Sequence, residues 1–527
     1  MNSFFYKGSG VNVLVLVILL GFVLTGCNFL PALNPSVETG TPSPVPSLIT
    51  QTAPNPALTK EPLVLEDFDL FQPGLVKSQH LILEKLKTAN QYDLKLFVAT
   101  DRKSINVEQV LRMNNQENIP LMDLYFHLFA NYSGGKIVFS QILINGQEAN
   151  YQLEAEDTIL HIKLVEPLPV GESLVVTMLF DIQIPTVMGG NYGIFGYFDS
   201  VLVLDTFYPM LAVYDADGWH NQKPDPVGDL SYTDASFYLV SVDFPAELVA
   251  VSSGLEIENS AAGDRTRSVF AIGPARDFYL ALSEDYIKVS EQVGEVLVNS
   301  YARPSEEDGA NIALDAAVHA LNIFSSYFGD YPYTELDVIS SPMQAMGIEY
   351  PGIVGIGINL YELDQKTGRT LNPDILESVV VHEVAHQWFY NLVGNDQVNE
   401  PWLDESVSQF ATGIYYEERY SATVGEQYRT SWMGRWNRIQ QEKIPIGLPV
   451  SAYDAKTYSP IIYGRGPYFL FELEKTLGSD LNAQFWKKYV AKNQWQNSTT
   501  SAFQKLAEEE CGCQLGDLFI DWVYEVE

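Results

Sequence analysis

The stretch that most constrains this chain is Ser378-Val-Val-Val-His-Glu-Val-Ala-His-Gln-Trp-Phe389. It carries His382, Glu383 and His386 in the spacing H-E-x-x-H. On a helix, residues four apart share one face, so both imidazoles can reach a single ion. Glu383 follows the first imidazole directly and can lean toward the open side of that ion to accept a proton from an attacking water. The helix has legible ends, which predicts a span of 374–393. Asn372 suits the N-cap, Pro373 the first turn, Asp374 the dipole and Gly394 the close.

A catalytic zinc ion has three protein ligands and an open position, so the two imidazoles need a third partner. Downstream stands Asn399-Glu-Pro-Trp-Leu-Asp-Glu405-Ser, opening the next predicted helix. A short connection makes consecutive helices antiparallel neighbours, which lets a carboxylate in the first turns of the second meet the metal. Glu405 is that candidate. Two imidazoles and one carboxylate suit zinc, one ion per chain.

The surroundings of this motif divide in two. Residues 64–292 read as mostly strand: Leu174 to Ile184 is β-rich, Phe237 to Phe244 is aromatic and branched, and Asn145-Gly146 signals a tight hairpin. Helical periods are scarce there, so a large saddle-like sheet or a sandwich is expected. The histidines before position 200 are scattered and read as structural. Residues 293–527 change character. A strand at 296–301, a helix at 308–327 and strands near 336–340 and 353–358 precede a run of helices. Beyond the 374–393 helix these are 402–420, 424–441, 466–477, 480–492, 499–510 and 515–525. A small sheet followed by helices is an α+β catalytic module.

At the amino terminus, residues 1–26 have the form of a signal peptide. Lys7 precedes an apolar run from Val13 to Leu24, too short for the ~20 residues that span a bilayer. The run ends in Leu24-Thr25-Gly26-Cys27, which looks like a bacterial lipobox and implies a lipid on Cys27. Residues 27–63 then form a Pro-rich tether, with eight prolines from Pro31 to Pro62, reaching at most on the order of 100 Å at ~3.1 Å per residue. The expected setting is a membrane-anchored ectodomain outside the cytoplasm, held to a lipid bilayer.

Charge narrows the partners. A net charge of −36, with only 31 Lys and Arg, repels nucleic acid and anionic lipid surfaces. That argues against DNA, RNA and peripheral membrane binding as functions. Three cysteines cannot make a disulfide scaffold. A bridge between Cys511 and Cys513 closes a small strained ring, so the sequence favours free thiols there.

Taken with their neighbours, these motifs resemble a known family. His382-Glu383-x-x-His386, eighteen intervening residues and Glu405 within Trp-Leu-x-Glu look like the zinc signature of the M1 aminopeptidases, gluzincins with a thermolysin-like catalytic domain. Met346-Gly-Ile-Glu-Tyr-Pro-Gly352 is similar to the family's G-x-M-E-N loop, and Tyr463-Gly-Arg-Gly466 to its Y-x-K-G segment. Phe207-Tyr-Pro-Met-Leu-Ala-Val-Tyr-Asp215 and Ala275-Arg-Asp-Phe278 resemble segments of the β-rich amino-terminal domain. The resemblance implies that Glu349 binds the substrate's free α-amino group, with Gly347 and Tyr458 also lining the substrate site. It implies that Tyr463 donates to the oxyanion, and that Glu383 is the general base.

Departures from the pattern are informative. The loop's methionine is Ile348, and Tyr390 stands where many members have glycine, which is expected to alter packing behind the site. Many members also supply an amine-binding glutamine upstream of the segment ending in Pro209; Ser200 falls at that distance here. The large helical carboxyl-terminal domain of longer members has no counterpart, which implies a more open cleft. The expected function is a zinc metallopeptidase removing amino-terminal residues from peptides. A zinc endopeptidase without amine recognition and a non-catalytic surface binding protein are the alternatives.

Overall fold

The computed structural model describes residues 68–524. The signal-like run, Cys27 and the Pro-rich tether lie outside the described residues.

The first half is built on alternation. Strand Ser173–Gln183 buries Leu174, Val176, Met178, Phe180 and Ile182 while the residues between them are less covered. That period of two is what a sheet packed on one face requires. It lies in an eight-stranded sheet of order Leu255–Ala262, Arg265–Ala275, Ser236–Pro245, Gln91–Val98, Ser104–Asn114, Ser173–Gln183, Lys136–Ile144, Gln147–Glu148. One neighbouring pair, Gln91–Val98 with Ser236–Pro245, is parallel. Two four-stranded sheets contribute Leu124, Phe126, Leu160, Leu202 and Leu204 to the same core. The hairpin signal is realised with Asn145 and Gly146 at φ 49° and 77°, the left-handed pair of a type I′ turn.

A second sheet of five strands follows, in the order Ile287–Val293, Val296–Ala302, Glu335–Ser341, Ile353–Gly357, Gly347–Tyr350. Its first strand begins ahead of the division expected at 292/293. The central three strands are parallel. Parallel neighbours need a crossover, and helix Glu307–Phe328 supplies it, burying Ala310, Ala313, Ala317, Leu321, Phe324 and Phe328 at helical spacing. Residues 347–350, expected as a loop, form the antiparallel edge strand instead. Gly347 and Glu349 are poor strand formers, so local preference hid a strand that sheet pairing imposes.

The motif helix runs Asn372–Ala385, shorter than the predicted 374–393. Asn372 is inside the helix start. Its amide donates to the carbonyls of Asn359 and Glu362 and its oxygen accepts from Thr367, so it fastens the incoming loop. Past His386 the chain turns back on itself, and Tyr390 takes φ 137°. Glycine adopts that conformation freely and a tyrosine does not. A positive φ favours glycine, the residue that the resemblance implies at this position. Gly394 ends no helix; it pairs with Asn497.

The remaining helices lie near their predicted spans: Val407–Arg419, Ala422–Trp436, Gly466–Leu477, Ser479–Asn493, Thr500–Cys511 and Gly516–Trp522. Two short segments depart from regular helix. Trp402–Ser406 and Ile461–Arg465 are wide π-helical turns, which concentrate at functional sites. They touch closely: Ser406 Oγ donates to the Ile462 carbonyl at 2.6 Å, and a Cβ on Gly466 would lie 2.0 Å from that Oγ. Cys511 and Cys513 are bridged, contrary to the expected free thiols. Gly512, left-handed at φ 60°, caps the helix and folds the chain back, bringing the two Cα atoms within 5.1 Å.

Candidate metal centre and active site

The motif helix and the π-turn at 402–406 face each other, and their side chains converge. His382 Nε2 lies 3.0 Å from Glu405 Oε2, His386 Nε2 lies 3.3 Å from His382 Nε2, and His386 Nε2 lies 3.6 Å from Glu405 Oε2. Bonds of ~2.0–2.1 Å to a tetrahedral zinc ion put ligand atoms about 3.3 Å apart. The three atoms therefore have the separation such an ion demands. His386 Nδ1 donates to the Phe389 carbonyl at 2.9 Å, which leaves Nε2 with its lone pair facing the centre. The turn after the motif helix presents that carbonyl. Burial lowers the pKa of His382. Burial opposes charge on His386 too, but Glu349, Glu405 and Glu383 around it raise its pKa well above the usual range.

Glu383 points to the other side of the imidazoles, toward strand Gly347–Tyr350. A Cβ on Gly347 would lie 2.4 Å from Glu383 Oε1. Gly347 is thus the space that Glu383 occupies, and its contribution is steric. Burial raises the pKa of Glu383 well above the carboxylate range, and Glu349 and Glu405 add to the rise against the pull of His386. A raised proton affinity suits a group that must take up a proton and then release it.

Glu349 joins Glu383 and His386, with one ligand atom from each within 4.8 Å of the others. Two glutamines absent from the sequence reading hold it there. Gln397 Nε2 donates to Glu349 Oε1 at 3.0 Å, while its own oxygen accepts from Ser231 of the first domain. Gln387 clamps the strand itself: its amide donates to the Tyr350 carbonyl at 2.8 Å, and its oxygen accepts from Gly352 N–H at 2.9 Å. Gln387 lies within the H-E-x-x-H-Q run, so its position beside the motif was a usable signal. Gln397 carried none. Ser200, the position where the amine-binding glutamine was sought, sits exposed in a turn at φ 66°, outside the cleft beside Glu349.

The second π-turn brings Tyr463 over the centre. Its hydroxyl donates to Glu405 Oε1, its ring lies 5.9 Å from that of His382, and the Arg435 guanidinium stacks 5.5 Å from its centroid. Tyr458 packs edge-on against Tyr463 at 6.1 Å, its hydroxyl buried against Gly228 without a hydrogen-bond partner. Tyr390 does not pack behind the site as expected. Its hydroxyl donates to Asp277 of the first domain, and it lines the cleft beside Glu349.

The loop carrying Asp229 and Ser231 to this centre is tied down by His220, which stands in none of the sequence motifs. His220 Nε2 lies 2.8 Å from Asp215, and Nδ1 lies 3.3 Å from Asp396, just beyond the motif helix. The hydrogen bond to Asp396, then that to Asp215, outweighs burial and raises its pKa to about 9. A raised folded pKa stabilises fully below the unfolded value of ~6.5 and fades as pH rises through the folded one. The wild-type protein should therefore lose more Tm between about pH 7 and about pH 10 than His220→Gln does. Parallel Tm profiles for the two proteins would refute the tie.

With the geometry described, likeness to known proteins can be weighed. Residues 312–522 match the model of the peptidase family M1 domain. The chain is 26% identical over 398 residues to Aminopeptidase M1-B of Oryza sativa subsp. japonica, covering 74% of this chain and 44% of that protein. It is 24% identical over 312 residues to human glutamyl aminopeptidase, covering 55% and 31%. The chain thus spans less than half the length of these relatives. The crystal structure of an M1 zinc metallopeptidase from Deinococcus radiodurans superposes with a TM-score of 0.60 at 18% identity, covering 83% of this chain and 94% of that one. A mutant of that protein bound to a Tyr-Ser-Ala substrate gives 0.60 at 19% identity, covering 83% and 95%. The fold is that of the two-domain zinc metallopeptidases. Within that fold, residues 312–522 are the part similar to the peptidase family M1 domain.

Proposed function

We propose that the protein is a zinc-dependent aminopeptidase, with His382, His386 and Glu405 holding the ion. The observation that carries the exopeptidase reading is Glu349, buried on an edge strand within reach of both Glu383 and His386. When bound, zinc supplies a Lewis acid and an activated water. The residues of the chain do the rest. Among the described residues no strand pairs with the outer edge of Gly347–Tyr350, so a peptide can lie along it through main-chain hydrogen bonds. Glu349, steadied by Gln397, accepts the α-ammonium, which stops the substrate one residue past the site of cleavage. Glu383 removes the proton from the attacking water and delivers it to the departing amine. The Tyr463 hydroxyl can exchange its bond to Glu405 for one to the developing oxyanion, beside Tyr458.

The lipobox-like ending at Cys27 and the Pro-rich tether support a lipid-anchored protein acting on peptides outside the cytoplasm. The runner-up is an endopeptidase using the same centre, favoured by the absence of an upstream glutamine at Ser200. The deciding experiment compares zinc-loaded protein on paired peptides with free and acetylated amino termini. Free-amine peptides should be cleaved at least about tenfold faster, with release of the first residue. Faster internal cleavage of the acetylated peptides would overturn the exopeptidase reading and leave the metallopeptidase one standing.

A further inference from the structure

Beside Glu349 lies an open cleft shared by both domains. Four carboxylates line it: Glu349 from the edge strand, and Asp205, Asp229 and Asp277 from the first domain. None of its lining residues is Lys, Arg or His. Glu349 is engaged by Gln397, and Asp205 Oδ2 accepts from the Thr206 hydroxyl at 2.9 Å. Asp277 is different. It is 3% exposed, one oxygen accepts from Tyr390, and Oδ1 is buried with no partner at all. Burial raises the pKa of Asp277 well above the carboxylate range and that of Asp205 to about 7. Buried acids ordinarily have a cation or enough donors to offset this cost, and here the chain supplies no cation.

One α-ammonium at Glu349 leaves Asp205 and Asp277 still unmatched. Ile194, Leu230 and Ile348 give the same cleft apolar walls. Apolar walls ending in carboxylates fit a long aliphatic stem that carries a cationic head. The departures from the family pattern converge on this feature, since Tyr390 holds Asp277 and Ile348 forms a wall.

We propose that this cleft is a subsite for a basic first residue, with Asp277 and Asp205 taking the side-chain cation of an amino-terminal arginine or lysine. The proposal rests on the aminopeptidase reading, with Glu349 holding the α-amine. Specificity then comes from a charge pair formed inside the protein, which a leucyl side chain leaves unmade.

The test has a kinetic arm and a binding arm, both on zinc-loaded protein. Arginyl and lysyl amides should show kcat/KM at least about tenfold above leucyl amide, and Asp277→Asn should narrow that ratio about tenfold. A merely structural role for Asp277 lowers all three together and keeps the ratio. Asp205→Asn provides a second, independent substitution should Asp277→Asn fail to fold. In the binding arm, calorimetric titration should show L-arginine binding about tenfold tighter than L-norleucine, with the difference reduced in Asp277→Asn. If no aminoacyl amide is cleaved, the aminopeptidase reading fails, while the titration still reads the subsite. Equal affinities for arginine and norleucine, an unaltered ratio in both variants, or preference for leucyl amide overturns the proposal.

Discussion

Replacing Glu383 by Gln should remove peptide hydrolysis, lowering kcat/KM by about 10³-fold or more, while the protein keeps its zinc. General base catalysis contributes ~10²–10⁴ in rate, and glutamine cannot take a proton at this pH. The substitution is clean for a structural reason. Glutamine has the shape of glutamate, and the space left by Gly347 beside Glu383 Oε1 is unchanged. The triad of His382, His386 and Glu405 does not include Glu383, so metal affinity should follow the wild type. Steady-state kinetics on a free-amine peptide, paired with zinc determination on the same sample, checks both halves. Retention of a tenth or more of the activity would remove Glu383 from the reaction. Loss of zinc together with activity would instead make it part of the metal site.

Glu405→Ala is expected to act on the metal first. Removing a residue that merely supports a ligand costs ~10–100-fold in metal affinity, and loss of a direct ligand should cost more than about 100-fold. The fold should survive, because the π-turn is held independently by Ser406 on the Ile462 carbonyl and by Trp402, whose indole donates to Thr500 at 2.9 Å. Burial alone would raise the pKa of Glu405, yet its bonds to His382 and His386 hold it well below the usual range. Its removal therefore also changes the charge balance of the two imidazoles. Competition with a chelator of known affinity measures the effect, and circular dichroism verifies the fold. Zinc binding within threefold of wild type would strike Glu405 from the ligand set.

The two outcomes separate roles that the geometry brings within a few ångströms of each other. Glu383 should govern the rate at constant metal content, and Glu405 the metal content itself. Gln387 and Gln397 belong to neither group. They set where the edge strand and Glu349 stand relative to the two imidazoles, so their loss should act through substrate position.

Much of the catalytic half was legible because its chemistry is local. Four-residue spacing on a helix puts His382 and His386 on one face whatever surrounds them, and Glu405 lies one helix later. Strand alternation, as in Leu174 to Ile182, and the Asn145-Gly146 turn are equally local. These periodicities determined the class of fold and the ligand candidates. The helix boundary after His386, the edge strand at 347–350 and the bridge between Cys511 and Cys513 were not legible. Each depends on backbone conformations that neighbours impose: Tyr390 at φ 137°, sheet pairing for Glu349, and Gly512 at φ 60°.

The cleft was hidden more completely. Asp205, Asp277 and the pair Tyr390 and Gln397 come from three separate parts of the chain, and no spacing pattern links them. Only packing of the β-rich domain against the helical one buries the carboxylates of Asp205 and Asp277 beside Glu349 with no lining cation, and only burial turns an ordinary aspartate into a group that demands a partner. The sequence by itself determined where a metal can sit and which side chain can move a proton. The cleft proposed to select the substrate was decided by tertiary structure, because it needs carboxylates from distant segments buried side by side.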